Sequence, residues 1–480
     1  MNRQNFLGHL ALALTLILLA AFAGQIRRWQ YEPQPVTHVR YELRGEPMRQ
    51  ESAAGLPARS QVLVHFRPGT RLEKIKELAL AHHDRFQDEY ENISGWVSIE
   101  DEDGLDAEAV AAEYRGLTGV VDYAEPNYLY GDEPVVLARP ERDAAPAELD
   151  RFIPFNWPND PQFIEQWSLA NTAQRGGKEG ADISALRAWE KTKGSKKVVV
   201  AVLDSGVDYT HTDLANNIWQ RPAEMAAYRD EQLGEFDDLH GFNATDRLRD
   251  PMDDNGHGTH CAGIIGAEGD NGFGITGVNW NVEIMPLKFM AANGSGTTRD
   301  AIEAINYVID RKRAGVNVRI ISASWGSTQK SRALQDAIKR AGEEGILFIA
   351  AAGNSSADAD RSPHYPAGYD LFNVLSVAAL DRNDALASFS NYGAKSVHVA
   401  APGKEILSTW LGGEFREASG TSMATPEVAG VAALILSVQP ELSVRELRQR
   451  LLDSVDKLDS LKGKVQTGGR INAARAVGVK

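Results

Sequence analysis

From Trp157 onward, short apolar runs of β type alternate with stretches long enough to form helices, and this alternation limits the fold more than any other feature of the chain. The runs are VVVAVL (Val198 to Leu203), IISAS (Ile320 to Ser324), ILFIAAA (Ile346 to Ala352), NVLSVAA (Asn373 to Ala379) and VHVAA (Val397 to Ala401). Helix-length segments such as Arg299 to Arg313 and Ser331 to Glu344 lie between several of them. A strand without polar alternation must be covered on both faces, and parallel neighbours need crossover connections of helix length. The expected fold is α/β, a doubly wound parallel sheet, in which binding sites form beyond the carboxyl ends of the strands.

A smaller unit precedes this pattern. QVLVHF (Gln61 to Phe66) alternates like a strand, Leu72 to His82 has helical spacing, GWVSIE reads as another strand, Ala107 to Leu117 as a second helix, and VVDYAEPNYLY closes the unit. The next stretch, Gly131 to Arg151, is Pro, Ala and charge without period, the composition of a linker. At the start, the apolar run Leu10 to Ala23 follows Arg3 and ends in Ala21-Phe22-Ala23, the pattern of an export leader. Arg27 and Arg28 keep a membrane anchor as the alternative. The expected boundaries are a leader at 1–23, a linker at 24–59, a small α+β domain at 60–131, a second linker at 132–156 and the large domain at 157–480. A net charge of −15 argues against a nucleic-acid partner, because phosphate backbones attract basic surfaces. The single cysteine, Cys261, excludes an intramolecular disulfide.

Chemistry concentrates in three segments. AVLDSGVD puts Asp204 at the end of an apolar strand, where it could equally cap a turn. DDNGHGTHCAG carries His257, His260 and Cys261 into a helix, and a bare H-x-x-H is compatible with plain packing. SGTSMATPEVAG sets Ser422 ahead of Pro426 and an alanine-rich helix, where alone it could be a cap. Together they supply what nucleophilic catalysis needs. A serine hydroxyl is a weak nucleophile until an imidazole accepts its proton, and the imidazole needs a carboxylate to orient it.

These three segments resemble the signatures of the subtilase family, and the likeness covers nearly the whole chain. Trp157 to Lys480 is similar to the catalytic domain, particularly of thermitase-like bacterial members. Gln61 to Tyr130, including YAEPNY, is similar to the family's ferredoxin-like inhibitory propeptide. The resemblance implies a serine endopeptidase with Asp204 as orienting carboxylate, His257 as general base and acid, and Ser422 as nucleophile. It selects His257 over His260, which spacing leaves open. Asn354, in AAGN, falls at the family's oxyanion-hole position, although an isolated AGN would read as a turn. Ser324, Trp325 and Gly326 match the segment against which substrate lies as an added strand, with Trp325 as plain core the alternative. Ala351, Ala352 and Gly353 match one wall of the pocket for the side chain preceding the scissile bond, and His364 its base.

The resemblance further implies structural calcium. Asp160, Asp213, Asp270 or Asn271, and the carbonyls of Phe273 and Ile275 are its expected ligands, a set of the oxygen type calcium favours. A second acidic site is expected around Asp246, Asp250 and Asp253. Glu427 departs from the family pattern, which has His there; in the first turn of a helix a carboxylate would suit the helix dipole. Cys261 follows His257 by one helical turn, so both share a face. The implied protein is secreted, monomeric, active on proteins or peptides, and cut from a precursor whose own propeptide inhibits it. A catalytically inactive binding module and a membrane-anchored processing protease are the alternatives.

Overall fold

The computed structural model describes residues 60–86, 95–131, 157–230, 234–235, 237–245 and 250–479. The expected leader at 1–23, the segments 24–59 and 132–156, and Asp246 lie outside the described residues.

The apolar runs form the middle of a nine-stranded sheet. Its order is Val455–Lys457, Gly469–Ile471, Val399–Pro402, Val374–Leu380, Leu347–Ala351, Val318–Ala323, Gly194–Asp204, Asn281–Lys288 and Phe242–Asn243. Every pairing is parallel except that between the two strands at the Val455–Lys457 edge. The Gly194–Asp204 strand illustrates why its sequence lacks polar alternation. Val198, Val200 and Val202 enter the core on one face, and Val199, Ala201 and Leu203 enter the core on the other. Helices His257–Gly266, Thr421–Val438 and Val444–Asp453 contribute to the first core, and Thr298–Arg313 and Arg332–Glu343 to the second.

Local signals fix where these helices begin. Thr297 and Asp300 form a capping box at the start of Thr298–Arg313, and Ser443 and Glu446 form another at Val444–Asp453. Ser331 caps Arg332–Glu343 through the Leu334 N–H.

The upstream unit is a four-stranded antiparallel sheet in the order Asp84–Phe86, Trp96–Asp101, Gln61–Phe66, Val121–Pro126, with helices Leu72–Ala81 and Ala107–Gly116. Its strand Asp84–Phe86, only three residues and part polar, carries no readable period in the sequence. The small sheet and the large one belong to one compact unit, Arg59–Lys480. They meet at Glu125, whose carboxylate accepts from Ser331 Oγ (2.6 Å), Arg332 N (2.9 Å) and Ala333 N (3.1 Å) at the start of Arg332–Glu343. Two backbone N–H groups that this helix end would otherwise leave unpaired, and the hydroxyl of the residue that caps it, are thus satisfied from the smaller unit.

Glu427 corrects an expectation. The helix Thr421–Val438 starts at Thr421, so Glu427 falls in its second turn, and its side chain is fully buried. Burial pushes its carboxyl up to about 8; the Ser168 hydroxyl opposes this shift and the Asp182 carboxylate adds to it. At neutral pH it is therefore mostly a protonated core residue, with little charge to offer the helix dipole. The folded state holds this proton more tightly than the unfolded chain does. The associated stability is fully present below the unfolded value near 4.5 and is lost as pH rises through about 8. Glu427→Gln should therefore flatten the fall in unfolding temperature between roughly pH 5 and pH 9. Thermal unfolding of both proteins across that range checks this, and parallel pH profiles would contradict it.

Candidate active site

The Gly194–Asp204 strand delivers Asp204 fully buried at its carboxyl end. Asp204 Oδ1 accepts from Ser205 N (2.8 Å) and from His257 Nδ1 (2.7 Å). Because a carboxylate only accepts, the imidazole hydrogen sits on Nδ1, which leaves Nε2 as the basic nitrogen. Close approach of the two elements depends on glycine. A Cβ on Gly258 would collide with the Gly206 carbonyl and lie 3.2 Å from Asp204 Oδ1.

The start of the histidine helix is held by Asp253. Its Oδ1 accepts from Ser205 Oγ (2.9 Å), Asn255 N (3.0 Å) and Gly256 N (3.0 Å), and its Oδ2 from Thr259 N (3.0 Å) and Thr259 Oγ1 (2.6 Å). This overturns the expectation of Asp253 as a cation ligand. Its hydrogen bonds are spent on the turn that aims His257, and Asp250 turns instead to Tyr209 Oη (3.1 Å). The run Asp253-Asp254-Asn255-Gly256 carried the signal, since a short acidic side chain just ahead of a helix tends to bind the backbone after it. His260 departs from His257 altogether. Its Nε2 meets the Arg416 carbonyl at 2.9 Å, and full burial lowers the imidazole to about 3, keeping it neutral.

Ser422 is the second residue of Thr421–Val438, where backbone N–H groups lack intrahelical partners. Pro426 has no N–H to bond the carbonyl four residues earlier, which frees the Ser422 carbonyl from the helix ladder. Ser324 Oγ (2.8 Å) and the Cys261 thiol (3.5 Å) donate to it instead, and Ser422 Oγ donates to the Ser324 carbonyl at 2.9 Å. One proline thus ties the serine, the strand end at Ser324 and the histidine helix together.

Asn354 follows the Leu347–Ala351 strand. Its Oδ1 accepts from Thr421 N (2.8 Å) and Thr421 Oγ1 (3.0 Å), and this fixes the amide so that the buried Nδ2 points away, with no hydrogen bond among the described residues. A Cβ added to Gly420 would lie 3.2 Å from that Nδ2 and 3.5 Å from Ser422 N. Two donors therefore flank one point beside Ser422. Thr421 was not singled out from sequence, and only its place next to the serine hinted at this role.

Ser324, Trp325 and Gly326 continue the Val318–Ala323 strand beyond its end, and Ala352 and Gly353 do the same after Ala351, the last residue of its parallel neighbour Leu347–Ala351. The Trp325 side chain is fully buried, with its indole N–H on the Leu203 carbonyl at 2.8 Å, so only its backbone can serve a ligand. The His364 ring lies against Gly326, where any Cβ would strike it, and burial lowers its imidazole to about 4. The Gly326 edge is already in use. Leu129–Gly131 pairs antiparallel with Ser295–Thr297, and Gly326 N donates to the Gly131 carbonyl at 3.1 Å. Tyr130, buried edge-on against Trp325, donates to the Gln329 carbonyl at 3.0 Å.

Among the expected calcium ligands, Asp160 and Asp213 are buried and share one loop. Asp160 accepts from Asp270 N (2.7 Å) and Asn271 N (3.1 Å), while Asp213 accepts from Asn271 Nδ2 (2.8 Å) and Ile275 N (2.9 Å). Burial pushes the Asp213 carboxyl up to about 7, and the Asp160 carboxylate adds to the shift. Two buried carboxylates that hold one loop, both pushed up chiefly by burial, fit a hard cation, which would offset the penalty of keeping them charged. Phe273 is exposed and Ile275 buried in the same loop.

Known proteins are similar to this chain in sequence. The sequence pattern of the subtilase family matches residues 195–477. A thermophilic serine proteinase of Bacillus sp. (strain AK1) is 36% identical over 359 residues, 75% of this chain and 73% of that protein. Thermitase of Thermoactinomyces vulgaris is 36% identical over 320 residues, 67% of this chain and 99% of that protein. Subtilisin-like protease 1 of Plasmodium falciparum (isolate 3D7) is 34% identical over 324 residues, 62% of this chain but only 46% of that longer protein. The match spans the large sheet with the strand ends that carry Asp204, Asn354 and Ser422, and the chain belongs to the subtilase family of serine-type endopeptidases.

Proposed function

We propose that this chain is an exported endopeptidase, matured by its own activity, in which Ser422 attacks the peptide carbonyl, His257 Nε2 takes the serine proton and Asp204 holds the imidazolium. The buried Asp204–His257 hydrogen bond beside a helix-borne serine carries this reading. As the bond to nitrogen breaks, His257 returns the proton to the leaving amine, and water then cleaves the acyl-enzyme by the same steps. Asn354 Nδ2 and Ser422 N hold the developing oxyanion; in support, both lie close to one point beside the serine, and Nδ2 is buried without a hydrogen bond among the described residues. Substrate adds as a strand along Ser324–Gly326, with its side chain between that segment and Ala351–Gly353 above His364. The pairing already made there by Leu129–Gly131 supports this.

The same pairing supports residues 60–131 as an inhibitor held on the cleft until the covalent link is cut. A tethered segment has a high effective concentration, so it stays in place while the linker is intact. Cleavage is assigned to 132–156, and export to the leader at 1–23, with a monomeric, secreted product. Ser422→Ala should accumulate as an intact precursor, whereas the parent chain yields a shorter protein and a separate fragment. Normal maturation of the pure Ser422→Ala protein would assign the cut to another protease.

Asn354→Ala should lower kcat by about 10²–10³ with KM nearly unchanged, the size of loss found for removing such a donor from subtilisin itself. Steady-state kinetics on a peptide substrate reads this directly, and an unaltered kcat would remove Asn354 from the chemistry. Calcium at Asp160 and Asp213 stabilises the native chain alone, so chelation should lower the unfolding temperature and added calcium restore it. Equal unfolding temperatures with and without calcium after full metal removal would leave this loop a cation-free structure.

A further inference from the structure

The contacts between the two units do not stop at the strand pairing beside Gly326. Upstream of Gly131, the Tyr128 carbonyl accepts from Thr298 N (2.8 Å) and Asn127 Oδ1 from Arg299 N (3.0 Å), both at the start of Thr298–Arg313. Farther back, the Glu125 carboxylate sits on the start of Arg332–Glu343. Tyr123 is buried as well. Its hydroxyl donates to Asp336 Oδ2 at 3.1 Å, and the Arg332 guanidinium lies 4.3 Å from the centre of its ring. One extended segment therefore follows a continuous track on the large domain, from the helix bearing Asp336 to the edge of the cleft.

We infer that in the mature enzyme this track is a second recognition surface for substrates, which takes extended acidic-aromatic segments of the form Tyr-x-Glu lying ahead of the residues in the cleft. The inference rests on the maturation reading above, because residues 60–131 must leave before a substrate can take their place.

The acid end of the track is a built site and not a helix start alone. A carboxylate is seated in it, and its partner Ser331 is fully buried and held from behind by Tyr369, whose hydroxyl accepts from Ser331 N (3.2 Å) and donates to the Ser331 carbonyl (2.7 Å). That support comes from the large domain itself, so the cap hydroxyl and the N–H groups of Arg332 and Ala333 stay aimed when Glu125 departs. The helix dipole adds to their preference for an anion. Asp336 supplies the second discrimination. It repels an acid at the place of Tyr123, whereas a phenol offers it a donor and gives Arg332 a ring to lie on. The ion pair of Asp122 with Arg332 (3.2 Å) joins two half-exposed side chains and contributes little. Recognition thus falls on the tyrosine and the glutamate, two residues apart on one face of an extended chain.

The test uses mature enzyme freed of residues 60–131, with its mass checked, and quenched fluorogenic peptides carrying the Asp122–Gly131 sequence ahead of a common cleavable tail. The peptide with the natural glutamate should be cut with about fivefold higher kcat/KM than its Glu125→Gln counterpart, the difference lying in KM, because the contact is made equally in ground and transition states. A Tyr123→Phe peptide should lose in the same way. Arg332→Pro removes an N–H and the guanidinium at the first helical position, where proline is well accepted. This variant should lose most of the preference for glutamate yet cut a short chromogenic peptide at the parent rate. Equal KM values for the glutamate and glutamine peptides, or an Arg332→Pro enzyme that keeps the full preference, overturn the surface. A parent chain that cuts the short peptide but never sheds residues 60–131 overturns the maturation reading, and the surface with it.

Discussion

The burial of Asp204 is the constraint on which the rest of the arrangement depends. A carboxylate taken fully out of water is costly unless hydrogen bonds and a charge-accepting partner surround it. Here the Ser205 N–H and His257 Nδ1 converge on Oδ1. The chain meets that demand by bringing a helix start against a strand end, which only glycine at 258 allows. Asp253, itself buried, then fixes the turn before that helix through five hydrogen bonds. One buried acid orients the imidazole, and a second orients the backbone that carries it.

The serine side is organised by a missing hydrogen bond. Pro426 releases the Ser422 carbonyl, and that acceptor draws in Ser324 Oγ and the Cys261 thiol. A proline inside a helix usually costs stability. In this helix it lies one turn from the start and the lost partner is replaced from two other elements, so the defect becomes a junction. Thr421, one residue before the serine, likewise locks the Asn354 amide through its backbone N–H and hydroxyl. The Asn354 amide thus takes its orientation from the same first turn that carries Ser422.

Much of this was legible in the sequence because its physics is local. Runs such as Val198 to Leu203 could only be strands covered on both faces, and the helix caps at Thr297, Ser331 and Ser443 are side chains next to the backbone they bind. What escaped depends on contacts distant in sequence. The choice between His257 and His260 turns on which ring meets Asp204, 53 residues before His257, and which meets the Arg416 carbonyl. Asp253 looked like a calcium ligand because acidic loops share one composition whether they hold ions or backbone. Glu427 looked like a dipole partner because the start of its helix was misplaced, and its protonated state follows from enclosure by residues such as Ser168 and Asp182. No local pattern announces enclosure. The short strand Asp84–Phe86 exists because its neighbour Trp96–Asp101 offers it an edge.

The cleft edge at Gly326 poses a last problem that the fold has to solve. A strand end with unpaired backbone groups is a template for any extended chain, which is what a peptide-cutting enzyme requires and what a folding chain must guard against. The segment Leu129–Gly131 covers that edge with matching backbone hydrogen bonds and anchors Tyr130 against Trp325. Farther back on the same chain, Glu125 completes the start of Arg332–Glu343, a helix that packs beside the strands forming the cleft. If residues 60–131 act as the inhibitor proposed above, inhibition and assistance to folding are not separate functions. Both come from occupying the same unpaired donors and acceptors before any substrate can. The contact that keeps the enzyme silent is then the one that completes its sheet edge and helix end during assembly.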